Sequence, residues 1–258
     1  MGRAKWGGPG VGAGTRDRTS ESNWRKPLAW DKKAKAEDRR PFVFCSSLAD
    51  VFDNEVPVEW RKDLFELILK TPNLVWLLLT KRPQNIVKMF DRISHVRQEW
   101  PRNAAIGTTV EDQTRADINL PALKVAKVEL NPLFTFGSFE PLLGPITIPP
   151  AFMPDWVITG GETDQGGHKA RPTHPEWFRS LRDQATSSGA AYHHKQNGEW
   201  VPCKADDGEW PTDTSGFCRL TFSGERADGG WPMQKVGKKF AGRMLDGVTH
   251  DEFPEVAA

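Results

Sequence analysis

The sequence predicts an α/β protein built on a parallel sheet, and three features carry that reading. Six short apolar, β-rich runs recur: "FVFC" at 42–45, "LVWLLL" at 74–79, "AAIGTT" at 104–109, "LFTFGS" at 133–138, "WVIT" at 156–159 and "AAYHH" at 190–194. Their starts lie 32, 30, 29, 23 and 34 residues apart, about the length of one strand with its crossover helix. Helical stripes fill most of the gaps. With 258 residues, 38% of them hydrophobic and including 11 Trp and 14 Phe, the chain can bury one large core or two small ones.

From the N-terminus, residues 1–41 hold eleven Lys and Arg against five Asp and Glu, whereas the remainder holds 24 against 29. An excess of cations in a Gly-rich, aperiodic stretch predicts a basic arm, mobile or wrapped on the surface. Such an arm can approach nucleic acid through phosphates, and a solvated linker has the same composition. Trp24 and Trp30 argue against full solvation, since indoles seldom stay in water.

Next, "VEWRKDLFELILK" (58–70) sets Trp60, Leu64, Leu67 and Ile68 on one helical face, with Arg61, Lys62, Asp63 and Glu66 toward water. "PQNIVKMFDRIS" (83–94) aligns Ile86, Phe90 and Ile93 behind Pro83, which a first turn tolerates. Residues 140–155 hold five prolines and no stripe, so a loop joins the fourth and fifth strands. "HPEWFRSLRDQATSSG" (174–189) aligns Trp177, Leu181 and Ala185 between Pro175 and Gly189. Beyond Gln196 the periodicity fails, and "FCRLTF" (217–222) is the one credible strand. The resulting division is an arm at 1–41, a sheet domain at 42–197 and a C-terminal loop and hairpin extension at 198–258.

A parallel α/β sheet gathers its ligand site at the carboxyl ends of its strands. Those ends are polar as a set: Ser46, Ser47, Asp50 and Asp53; Thr80, Lys81 and Arg82; Glu111 and Asp112; Ser138 and Glu140; Gly160, Gly161 and Glu162; Lys195 and Gln196. A strand apolar on both faces is interior, so Lys81 and Arg82 surface at the mouth of the sheet, where anionic ligand groups or Glu111, Glu140 and Glu162 compensate them. An ordinary ion pair explains any one position, whereas six strands ending alike point to a binding site. Arg171, in the loop between His168 and His174, is a further candidate anion clamp.

Other chemistries find little support. His193 and His194 are neighbours in a strand and diverge, so they do not form a metal pair. Cys45, Cys203 and Cys218 contain no C-x-x-C spacing, which predicts reduced, isolated thiols and no metal site. "GGETDQGG" lacks the context of a phosphate loop, and neither a G-x-S-x-G elbow nor an H-E-x-x-H helix is present. No run approaches the ~20 apolar residues of a bilayer span, and the N-terminus lacks a signal-peptide layout, so a cytoplasmic protein with no membrane partner is expected.

The segments "SSLADVFDNEVP", "LLLTKRPQN", "GTTVEDQ", "FEPLLGP", "WVITGGE", "ARPTHPEWFRSLRDQ", "KQNGEW" and "VGKKFAGRMLDGVTHDEFP", in this order, resemble the phage- and bacterium-associated three-cysteine-motif proteins. That radical-SAM-like family, of largely unassigned function, is akin in its cluster motif to spore photoproduct lyase. The resemblance implies a partial (βα) barrel of parallel strands, binding S-adenosylmethionine and, in the full-length family, a [4Fe-4S] cluster on three cysteines.

The family's cluster motif, ending C-x-x-C-Y-A, is expected upstream of "RTSESNW" and is absent here, so the resemblance implies an N-terminally incomplete barrel that holds no cluster. Phe139 stands where the family has Cys, and Asn197 where it has Trp. Carried onto this chain, the resemblance makes Lys81, Arg82, Glu111, Glu140 and Glu162 cofactor contacts, the cations for carboxylate and the acids for ribose or amine. Ser46, Ser47, Asp50, Asp53, Arg171, Lys195 and Gln196 then line the substrate pocket. Nucleic acid is the expected substrate class. The rival expectation is a non-catalytic accessory protein that binds nucleic acid or a methyltransferase-like partner.

Overall fold

The computed structural model describes residues 3–5, 14–45, 50–93, 99–203 and 216–256, the first three as backbone. Ser46 and Ser47, two of the expected pocket residues, lie outside the described residues, as does the end of the helix expected to reach 94.

Strands β1 (Arg3–Lys5) and β2 (Thr15–Asp17) pair antiparallel and lead into helix α1 (Glu21–Ala36). Strand and helix then alternate through β3 (Phe42–Cys45), α2 (Val58–Leu69), β4 (Val75–Thr80), α3 (Ile86–Asp91), β5 (Ala104–Thr109), α4 (Gln113–Leu130) and β6 (Thr135–Phe139). The connection from β6 to β7 (Trp156–Gly160) carries a short turn at Pro150–Phe152, in keeping with its prolines. Helix α5 (Pro175–Ser187) follows, and then β8 (Ala191–Gln196).

Strands β3 to β8 form one parallel sheet in the order β3-β4-β5-β6-β7-β8. Each strand therefore joins beside its predecessor without a reversal, which is the winding of a (βα) barrel; a doubly wound sheet reverses at a switch point. The α/β expectation and the six strands hold, with two strands at the expected bounds and the other four shifted by at most two residues.

Two compact units make up the chain. The first takes residues 1–108, 121–136 and 256–258, and the second takes 109–120 and 137–255. In the first, Leu64, Ile68, Leu78, Ile86 and Ile106 pack around a cluster of three rings, Phe65, Phe90 and Trp100, whose centroids lie 5.0–5.3 Å apart. In the second, Val157, Trp177, Phe178, Leu181 and Tyr192 seat α5 on β7 and β8. β4 is buried along nearly its whole length, which accounts for its unbroken apolar run.

Two expectations are corrected. The arm contains the 16-residue α1, held by tertiary contacts: Pro27 and Ala34 are buried, Trp24 packs on the core, and Asp31 accepts from the backbone and side-chain amides of Asn73. Pro27 and the sparse apolar residues of α1 hid it from a periodicity argument. The C-terminal segment has the expected hairpin, β10 (Phe217–Leu220) with β11 (Trp231–Lys235), but more strands than the one expected: among the described residues β9 (Trp200–Pro202) joins them, antiparallel in the order β10-β11-β9, and a single turn, α6 (Lys238–Ala241), follows. Strands of three to five residues containing Pro202 and Pro232 give little alternation to detect.

Residues 250–252 lie along β8. His194 N donates to His250 O at 3.1 Å, Glu252 N to Tyr192 O at 3.3 Å and Tyr192 N to Glu252 Oε2 at 2.9 Å, which occupies the edge that β8 would otherwise expose. No helix among the described residues is long and apolar enough to cross a membrane.

Candidate functional site

Strand-end residues form one cluster in each compact unit. In the first, Asp50 is 5% exposed and receives four donors: Phe52 N at 2.9 Å and Thr80 Oγ1 at 2.6 Å on Oδ1, Lys81 N at 3.0 Å and Arg82 Nη1 at 2.9 Å on Oδ2. A carboxylate has about four acceptor positions, so Asp50 is spent on clamping the end of β4. Arg82 turns back onto Asp50, while the Lys81 side chain is exposed.

Asp53, buried at 1%, accepts from Arg16 Nε at 2.8 Å and Glu55 N at 3.0 Å. Burial works to raise its pKa, but these two hydrogen bonds and the Arg82 charge overcome it and hold the carboxyl below its usual range. Arg16 thereby joins the arm to the body. Arg18 does the same through Asp63 at 2.6 Å, so two of the arm's cations are committed to carboxylates of the body.

In the second unit, the ends of β6, β7 and β8 place Glu140, Glu162, Lys195 and Gln196. Glu140 Oε2 accepts from Lys195 Nζ at 2.8 Å and Oε1 from Gln196 Nε2 at 2.5 Å, which leaves about two acceptor positions open. A Cβ on Gly160 would stand 2.9 Å from Glu140 Cδ, so glycine at the end of β7 is what lets the Glu140 side chain cross there.

Glu162 is different, because four nitrogen donors fill it. Arg171 supplies N at 2.8 Å, Nε at 2.9 Å and Nη2 at 2.7 Å, and His168 Nε2 lies 3.1 Å from Oε1. The Arg171 side-chain bonds, aided by its backbone N–H and His168, bring Glu162 down to about 2 against burial. Arg171 is raised in turn, first by Glu162 and at longer range by the Glu111 charge. Its Nη1 makes no hydrogen bond among the described residues, and the side chain is half exposed. Asp112 caps α4 through Arg115 N at 2.8 Å.

Sequence reasoning missed two supports of this second cluster. Lys235, on β11, grips Asp164 at 2.7 and 2.9 Å, and Asp164 also accepts from Ala170 N at 2.8 Å, which ties the Gly-rich loop at both ends. The Ala170 N–H and then Lys235 hold the Asp164 carboxyl far below its usual range. Behind the strand ends, buried His194 bonds Thr159 Oγ1 and Asn197 Oδ1, each at 2.9 Å. The alternation expected of His193 and His194 holds, with His194 inward. His174 is buried too and caps α5, accepting from Glu176 N.

A [4Fe-4S] cluster does not fit the described cysteines. No group of three His, Cys, Asp or Glu among the described residues can hold a metal, and burial pushes the Cys203 and Cys218 thiols up, away from the thiolate that iron needs. Two surface hollows, of about 510 and 440 Å³, lie on α5 beside Arg179 and at the start of α1 beside Trp24, and neither is lined by strand-end residues.

A family model described as "Protein of unknown function (DUF5131)" matches residues 3–254. The chain belongs to the DUF5131 family. No curated protein and no solved structure matches it. The match spans both strand-end clusters and the C-terminal strip beside β8, so this DUF5131 chain carries the whole arrangement within the family's extent.

Proposed function

We propose that this chain is a phage-type radical-SAM-like protein that binds S-adenosylmethionine and a nucleic-acid substrate at the ends of β6, β7 and β8, without a cluster on its own described cysteines. The observation that supports this is Glu140, an anchored carboxylate with open acceptor positions, in the same unit as cations with unspent N–H groups on Arg171 and Lys195. A zwitterionic amino-acid end suits that set: its ammonium matches Glu140, and its carboxylate matches Arg171 and Lys195. Glu162, already filled, acts as the positioning residue for Arg171. When bound, S-adenosylmethionine supplies a sulfonium-activated alkyl group. The poor fit of the cysteines favours the accessory reading as the second one, in which the same pocket recognises without reacting.

Calorimetric titration with S-adenosylmethionine tests the pocket. Saturable binding that Glu140→Gln weakens at least tenfold supports it, and no binding to the wild type overturns it. Anaerobic reconstitution with iron and sulfide separates the two readings: a brown, iron-replete protein removes the accessory one, and a colourless product removes radical chemistry from the isolated chain.

A further inference from the structure

The α6 turn presents an aromatic ring and two cations to solvent on an anchored backbone. Phe240 is 83% exposed, and Lys238 and Lys239 on the same turn are exposed as well. This exposure does not come from a loose segment. Val236 N and Gly237 N donate to Glu199 O at 2.9 and 3.1 Å, while Asn197 N donates to Gly242 O at 3.0 Å and Asn197 Nδ2 to Ala241 O at 2.8 Å. Both ends of the turn are thus tied to Asn197 and Glu199, just beyond β8, and Ala241 is buried as its anchor.

A single exposed hydrophobic needs no explanation, but here Phe240, Met244 and Val248 are all more than half exposed within nine residues. The charges around them are sorted by sign. Asp246 is taken by Arg179 at 2.6 Å and Arg182 at 2.9 Å, and Asp251 is paired with Arg243. Lys238 and Lys239 have no carboxylate partner among the described residues. What the turn offers is an exposed π face beside two cations that have no carboxylate partner among the described residues, with Asp246 and Asp251 already paired. That chemistry complements a polyanion carrying unstacked rings: bases stack on aromatic faces while lysines contact phosphates. A duplex keeps its bases stacked and offers the ring nothing.

We propose that the Lys238–Phe240 turn docks single-stranded nucleic acid, with Phe240 stacking on a base and Lys238 and Lys239 on flanking phosphates. The inference shares its substrate class with the preceding reading and is independent of the S-adenosylmethionine pocket. Fluorescence anisotropy of the full chain with labelled 20-nucleotide single-stranded DNA, single-stranded RNA and duplex DNA, without S-adenosylmethionine and at several salt concentrations, tests it.

The expected result is binding of one or both single strands in preference to duplex, weakened about 5- to 150-fold by Phe240→Ala and retained by Phe240→Trp. Lys238→Ala with Lys239→Ala should lower the salt slope by about 1.4. All three positions are exposed, and circular dichroism confirms that the variants fold. No single-strand binding, binding indifferent to Phe240→Ala, or Phe240-dependent capture by phosphatidylserine vesicles in place of nucleic acid overturns the proposal. Failure of the Glu140 titration with single-strand binding intact would sink the preceding reading and leave this one standing.

Discussion

Asn197 fixes the tautomer of His194. Its Nδ2 donates to Ala241 O at 2.8 Å and Met244 O at 3.2 Å, which leaves Oδ1 as the acceptor for His194 Nε2 at 2.9 Å. The proton therefore sits on Nε2, and Nδ1 accepts from the Thr159 hydroxyl. One side chain links the end of β8, the buried histidine and the α6 segment.

His194 makes stability depend on pH. Burial, chiefly, lowers its pKa from 6.5 to about 4, while the Asn197 bond works the other way. The unfolded chain takes up a proton near pH 6.5 and the folded chain near 4, so this contribution is complete above 6.5 and is lost as pH falls toward 4. The loss is on the order of 3 kcal/mol. Urea midpoints measured from pH 7.5 to 4.5 should fall steadily in the wild type. In His194→Gln the slope should shrink to the remainder set by His174 and His193, both of which burial also lowers.

Glu162 acts in a more acidic window. Its carboxyl is lowered from 4.5 to about 2, first by the Arg171 hydrogen bonds, so its contribution is whole above pH 4.5 and lost on going down to 2. Glu162→Gln at neutral pH leaves Arg171 without its carboxylate. Hydrogen exchange at the Arg171 amide, which donates to Glu162 at 2.8 Å, should then quicken markedly, and melting temperature between pH 4.5 and 3 should fall less steeply than in the wild type. Unchanged protection at that amide would refute the positioning role.

Arg61, which the helical stripe placed toward water, is instead a buried cation. It is 1% exposed and donates to Val51 O at 3.0 Å, Asp53 O at 3.2 Å and Val56 O at 3.5 Å, with the Asp50 and Asp53 charges in range. Arg61→Ala takes the side-chain donor from these carbonyls, of which Asp53 O keeps Val56 N, and removes a cation from beside two buried acids, at an expected cost of about 3–5 kcal/mol. Chemical denaturation measures it directly.

How much of this was legible in the sequence follows from what each signal depends on. The strands were readable because β4 and β5 are buried on both faces and their apolar runs are continuous. Helix α5 was readable because Trp177, Leu181 and Ala185 keep a strict stripe between Pro175 and a terminal glycine. Helix α1 was hidden because its stability comes from long-range partners such as Asn73, and α4 because Pro121 interrupts its pattern.

For the candidate site, strand-end logic named Glu140, Lys195 and Gln196, which the structure joins by hydrogen bonds, but could not show how far each carboxylate was occupied. Saturation of Asp50 and Glu162 depends on backbone N–H groups, which have no letter in a sequence. Asn197 was visible only as a departure from a motif, and its role emerges from the carbonyls of residues 44 and 47 positions further along the chain.

The ends of β7 and β8 meet backbone to backbone, and Gly161 and Gly198 together permit it. The Gly161 N–H donates to Gln196 O at 3.0 Å, and a Cβ at Gly161 would run into the carbonyl of Asn197 and reach 3.0 Å from Gly198 N. Backbone atoms cannot swing aside as a side chain can, so the strand ends carrying Glu162 and Gln196 would have to separate. Gly144, with nothing within 4 Å of its own Cβ position, is the matched control. Gly161→Ala is expected to cost about 1–3 kcal/mol and to weaken the proposed S-adenosylmethionine binding at Glu140, whereas Gly144→Ala should stay within about 0.5 kcal/mol of wild type. Equal melting temperatures for the two variants would show that the close approach at Gly161 does not hold in solution.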